Sequence, residues 1–205
     1  MRTLLTIVAA LAMLLPASAQ DTAPKEGDGA KPKDGAKPVI NAAPDLPKDL
    51  DGLFAALRRE PDQAKAKRIS QRIWGLWNTS GDDTVDLLLG WAGQAMKAQK
   101  HGAALDLLDQ ITVLRPDYAE GWNRRATLHF QRNDFAKSLA DIERVLALEP
   151  RHYGALAGMG TILTRMERKD EALDVWYRVL ALYPAMESAQ KAVERLEEER
   201  AGRGI

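Results

Sequence analysis

Ile111-Thr112-Val113-Leu114-Arg115-Pro116, Val145-Leu146-Ala147-Leu148-Glu149-Pro150 and Val179-Leu180-Ala181-Leu182-Tyr183-Pro184 are one kind of segment written three times, each starting 34 residues after the last. Working back from each proline, like residues return at like offsets. Leu105, Leu139 and Leu173 are in register. So are small Ala104, Ser138 and Ala172, bulky Leu108, Ile142 and Trp176, and a second small set, Ala92, Ala126 and Gly160. Self-similarity at a fixed period of this length marks an array of stacked supersecondary units. The apolar residues recur at helical spacing, two helices to a unit. Small residues suit places where helix axes cross, because only a small side chain lets two backbones approach closely. The proline stops the second helix: it lacks an N–H, and its ring disfavours helical backbone before it. A single unit cannot bury its own apolar stripe, so the units must stack.

These residues resemble the tetratricopeptide repeat (TPR) family. The match runs over 119–152 through Trp122, Ala126, Phe135, Ser138 and Pro150. It continues over 153–186 through Leu156, Gly160, Ala172, Trp176 and Pro184, and more loosely over 85–118 through Leu88, Trp91, Ala92, Ala104 and Pro116. The departures are Arg125, His129 and Ser138, where the family prefers Leu, Tyr and Ala. The resemblance implies an all-α fold, a right-handed α-solenoid of helix–turn–helix units. It also implies a concave groove lined by the first helix of each unit. Carried over residue by residue, that groove falls on Met96 and Lys97, then Glu120, Asn123, Arg124, Thr127, Phe130 and Gln131, then Thr161 and Arg165. The family's Lys/Asn clamp for a C-terminal carboxylate is not reproduced, since Leu89 and Gly93 occupy its places. The implied partner is a protein or peptide.

Outside the three units the chain changes character. Leu50, Leu53, Phe54 and Leu57, then Ile69, Ile73, Trp74 and Trp77, predict a helical hairpin over 49–84, an N-terminal cap or a degenerate fourth unit. Residues 187–205 carry Val193 and Leu196 on one side and charges elsewhere, the pattern of a helix that covers the last apolar face of an array. At the start, Arg2, the uncharged run Leu4–Leu15, Pro16 and Ala17-Ser18-Ala19 read as a signal peptide over 1–19, cleaved after Ala19. That run is too short to span a bilayer, which needs about 20 apolar residues, so no membrane span remains after cleavage. Residues 20–48 hold five of the ten prolines and no aromatic residue, the composition of a spacer. The expected location is the bacterial periplasm, with secretion as the alternative.

Composition narrows the chemistry. Equal numbers of basic and acidic residues, 29 of each, argue against an electrostatic hold on nucleic acid. The absence of cysteine removes disulfides, thiolate metal sites and a Cys nucleophile. The three histidines lack partners at metal-ligand spacing; His101 and His152 fall near turns, where solvation is expected, and His129 reads as a packing residue. No phosphate loop or nucleophile elbow is present. Gly90, Gly93, Gly158 and Gly160 read as close-packing positions in helices, and most of the five tryptophans as core. The expectation is a non-enzymatic scaffold or adaptor without cofactor, metal or catalytic residue, supporting the cell envelope. The alternatives are an envelope enzyme acting on peptidoglycan and a self-assembling structural protein.

Overall fold

Nine α-helices make up the described part of a computed structural model, residues 46–202: α1 (Leu50–Arg59), α2 (Gln63–Trp77), α3 (Asp83–Lys97), α4 (His101–Leu114), α5 (Ala119–Gln131), α6 (Phe135–Leu148), α7 (Tyr153–Arg165), α8 (Lys169–Leu182) and α9 (Glu187–Gly202). The expected signal peptide, nearly all of the expected spacer, and residues 203–205 lie outside the described residues.

The 34-residue period reappears as backbone geometry. Gln99, Asn133 and Glu167 sit at φ 57°, 58° and 58° between the two helices of successive pairs. Each turn is closed by an amide reaching back five residues: Lys100 to Ala95 (2.9 Å), Asp134 to His129 (2.9 Å) and Arg168 to Leu163 (2.9 Å). This is a left-handed C-terminal cap, which lets the carbonyls at a helix end find donors while the chain reverses. The turns between pairs repeat too, with amide-to-carbonyl bonds Tyr118 to Arg115, His152 to Glu149 and Met186 to Tyr183. Each lies just past one of the three periodic prolines.

Pairs α3–α4, α5–α6 and α7–α8 stack in order, and α9 closes the end. The small positions do what close crossing requires. Ala92, Ala104, Ala126 and Ala172 are buried. A Cβ on Gly160 would lie 2.7 Å from Cε2 of Trp176. Ser138, where the family prefers Ala, is buried with its hydroxyl donating to the Ala126 carbonyl (2.8 Å), so the extra polar group is satisfied. Along α9, Ala189, Val193 and Leu196 are buried against the array while the remaining surface is mostly charged.

The hairpin α1–α2 departs from expectation. It does not cap α3–α4, with which α2 makes no more than marginal contact. It folds across onto α7 and α8. Leu53, Phe54, Leu57, Ile69, Ile73 and Trp77 share one core with Tyr153, Leu156, Trp176, Val179 and Tyr183. The reason is aromatic and specific. Trp77 stacks on His152 (centroids 4.1 Å, 9°), and Trp74 meets Tyr153 edge-on at 6.0 Å. Gly154 admits the Trp74 ring, since a Cβ there would lie 2.7 Å from Cζ2. Tyr153 shares a hydrogen bond with the Ser70 hydroxyl (2.9 Å). The link from α2 to α3 is pinned by Tyr118, whose hydroxyl donates to the Trp77 carbonyl (2.9 Å), and by Arg115, which donates to the Ser80 carbonyl (3.2 Å). Burial pushes both tyrosine hydroxyls, Tyr118 and Tyr153, up from their ordinary pKa. They therefore remain donors at neutral pH.

Trp91 departs from the expected core, whereas Trp122 packs at the edge of the cluster that contains Ala126, Ile142 and Ile162. Trp91 is 48% exposed. Trp122 is half-buried; it donates to the Pro116 carbonyl (3.0 Å) and lies under the Arg125 guanidinium, 4.7 Å from its ring centre. Gly90 and Gly93 have no neighbour within 4 Å of a built Cβ, so close packing does not account for them.

Candidate functional site

The first helices α5 and α7 face a cleft of about 230 Å³. Ala126 and Phe130 of α5, Ile142 of α6 and Ala155 and Ile162 of α7 make it largely apolar. Thr127, Asn123 and Thr161 add polar atoms at its wall. The Thr127 and Thr161 hydroxyls donate to the carbonyls of Asn123 (2.9 Å) and Ala157 (2.8 Å), which leaves their lone pairs to accept from a ligand N–H. Gly158 has room for a side chain, with Ile142 at an ordinary 3.5 Å from its built Cβ. The Arg165 guanidinium lies 4.7 Å from the centre of the Phe130 ring, also one of the cleft residues. Arg165 is exposed and forms no ion pair among the described residues.

The N-terminal halves of α5 and α7 are already occupied. Glu120, expected in the groove, is 1% exposed; its carboxylate accepts from Asn123 Nδ2 (2.9 Å) and Arg124 Nε (2.6 Å). Asn123 is buried as well. Arg124 also donates to Oδ1 of Asn78 (2.7 Å), at the end of α2. His152, expected in solvent, is fully buried; its Nδ1 accepts from the Ala155 amide (3.0 Å), and Nε2 faces Glu120 at 3.4 Å. An Nδ1 that accepts leaves the proton on Nε2, which lies near the carboxylate without a hydrogen bond to it. Arg124 therefore ties α5 to the hairpin and Glu120 is shut away from the groove, while Asn123 reaches the cleft wall with its amide already held by Glu120. A buried carboxylate is tolerable only when hydrogen-bonded this fully.

Of the other expected groove residues, Thr127, Phe130, Thr161 and Arg165 gather at the cleft, Gln131 is exposed at the end of α5, and Met96 and Lys97 belong to α3 and do not line it. On another face, Arg125 binds Asp141 (2.7 and 2.9 Å) and Asp109 (2.8 Å), which joins α4, α5 and α6. His129 beside it is held below its ordinary pKa, mainly by burial. The ion-pair cluster explains Arg125 in place of the family-preferred Leu; nothing in the structure explains His129 in place of Tyr. Among the described residues, no group of three or more acidic or histidine side chains could hold a metal, and no helix is long and apolar enough to cross a membrane.

Comparison with known proteins agrees with this architecture. Residues 119–152 match the family described as tetratricopeptide repeat. A TPR repeat-containing protein of Rhizobium etli is 47% identical over 162 residues, 79% of this chain and 79% of that protein. Among solved structures, the first TPR of Spaghetti (RPAP3), bound to the HSP90 peptide SRMEEVD, superposes with a TM-score of 0.55 at 21% identity, covering 57% of this chain and 93% of that one. MamA does so with a TM-score of 0.54 at 18% identity, covering 72% and 84%. The chain belongs to the tetratricopeptide repeat family.

Proposed function

We propose that this protein is a non-enzymatic adaptor that takes a short polypeptide segment in the cleft between α5 and α7. The observation that carries the reading is the pairing of an apolar cleft with the unpaired, exposed guanidinium of Arg165 stacked on Phe130. An aliphatic or aromatic side chain suits the apolar wall, and a neighbouring carboxylate suits Arg165, which bonds such groups with two parallel N–H donors. The same fold in a solved neighbour carries a bound peptide, which supports the reading. With Arg124 engaged by Asn78 of the hairpin and Glu120 buried beside His152, the accessible wall suits a short segment.

The leader-like pattern of Arg2, Leu4–Leu15 and Ala17-Ser18-Ala19 supports export, and with it a role in the bacterial periplasm, in envelope assembly or integrity. The test is affinity recovery of partners from envelope fractions with the parent protein and with Phe130→Ala/Arg165→Glu. The pair should abolish recovery while the circular dichroism spectrum and melting temperature hold. Undiminished recovery by the folded double variant would refute the cleft as the binding surface.

A further inference from the structure

The three repeat pairs allow one helix face to be read against its own copies. Positions 34 and 68 residues beyond Leu87 are Gly121 and Ala155; beyond Trp91 they are Arg125 and Met159; beyond Gln94 they are Leu128 and Ile162. Every one of those six later residues meets the preceding pair. A Cβ on Gly121 would lie 2.7 Å from Ile111 of α4. Arg125 binds Asp109 of α4, and Leu128 joins the α3–α4 core. Ala155, Met159 and Ile162 join the core that contains Ile142 and Val145 of α6. Leu87, Trp91 and Gln94 thus occupy the seam of the array, but among the described residues no pair covers α3 there, because α1–α2 lies on α7 and α8. The seam is open: Leu87 is 51% exposed and Trp91 48%. Leu107 borders it, since its register equivalent Asp141 bonds to the equivalent of Trp91.

We infer that this open seam is where two copies of the chain pair, with α3 of one antiparallel to α3 of the other. Three features favour a second copy over an unrelated partner. The opposite end of the stack is sealed by α9, whose outer surface is charged, so a head-to-tail chain has no matching apolar face and the contact must close on itself. Gly90, exposed at the middle of α3 with nothing within 4 Å of a built Cβ, lets two helix axes approach. The charges are also self-complementary. Asp83 lies seven residues before Gly90 and Lys97 seven after it, both exposed on the same stripe. Antiparallel pairing about Gly90 sets each Asp83 opposite the Lys97 of the other copy. This inference does not depend on the cleft binding anything.

The test is sedimentation equilibrium of the purified protein over a concentration series. The mass should rise to that of two chains. Trp91→Glu should leave a folded monomer with unchanged circular dichroism. Asp83→Lys should weaken pairing by roughly tenfold or more, and adding Lys97→Asp should restore it. A monomer at every soluble concentration overturns the inference, as does a dimer that survives Trp91→Glu, which would place pairing elsewhere, for instance in an exchanged hairpin. Because the chain has no cysteine, Gly90→Cys gives a second reading: rapid intermolecular disulfide formation on oxidation supports the antiparallel axis, and formation no faster than with Gly102→Cys contradicts it.

Discussion

Three residues, Gln99, Asn133 and Glu167, carry the reversal inside each repeat, and they differ in how well they suit it. Left-handed backbone costs a side chain with a Cβ, least for Asn. Asn133 is therefore at home at φ 58°, while Gln99 holds φ 57° at a cost. Gln99→Gly should raise stability by about 0.5–1 kcal/mol, read as a higher urea midpoint with an unchanged slope. A drop would mean that the Gln99 bond to His101 (2.9 Å) outweighs the strain. These turn positions escaped the reading of the sequence although they share the 34-residue period. Only one of the three has a residue type that announces a left-handed turn. Periodic apolar and small residues announce themselves far more strongly, which is why Ala92, Ala126 and Gly160 could be identified from spacing alone. His152 was misjudged for the converse reason: its place in a turn suggested solvent, and only the arrival of Trp77 from a distant part of the chain buries it.

At the scale of elements, the helices of the repeat region were legible and the seat of the hairpin was not. Helices α1 and α2 follow from apolar spacing and from Asp49 and Asp62, whose carboxylates accept the amides of Gly52 and Lys65. Where they dock depends on pairs with no period, such as Trp74 on Gly154, Tyr153 on Ser70 and Tyr118 on the Trp77 carbonyl. No spacing rule finds these, and from them come the burial of Glu120 and Asn123 and the exposure of Trp91. The docking makes Gly154 a sensitive point. Gly154→Ala drives a methyl group into the Trp74 ring and should cost roughly 1–3 kcal/mol, with protease cleavage appearing between residues 50 and 77. Gly75→Ala, also in a helix but with open space around a built Cβ, should be neutral or stabilising by about 0.5–1 kcal/mol. Equal stability of the two variants would show that the hairpin does not sit on α7.

For the molecule as a whole, helix pairs stack by a repeated code, a charged terminal helix seals one end, and a folded-back hairpin fills one part of the first-helix wall while leaving another open. That division gives Glu120 and Arg124 a structural role and underlies the binding role proposed for the cleft around Phe130 and Arg165. The clearest measurement is site-specific photocrosslinking in the living cell, with a benzophenone side chain placed at Thr161 inside the cleft or at the exposed Ala181 of α8. The account predicts a discrete polypeptide adduct from position 161 that disappears with Arg165→Glu and is not formed from position 181. The same adduct from both positions, or one from position 161 that persists without Arg165, would contradict it.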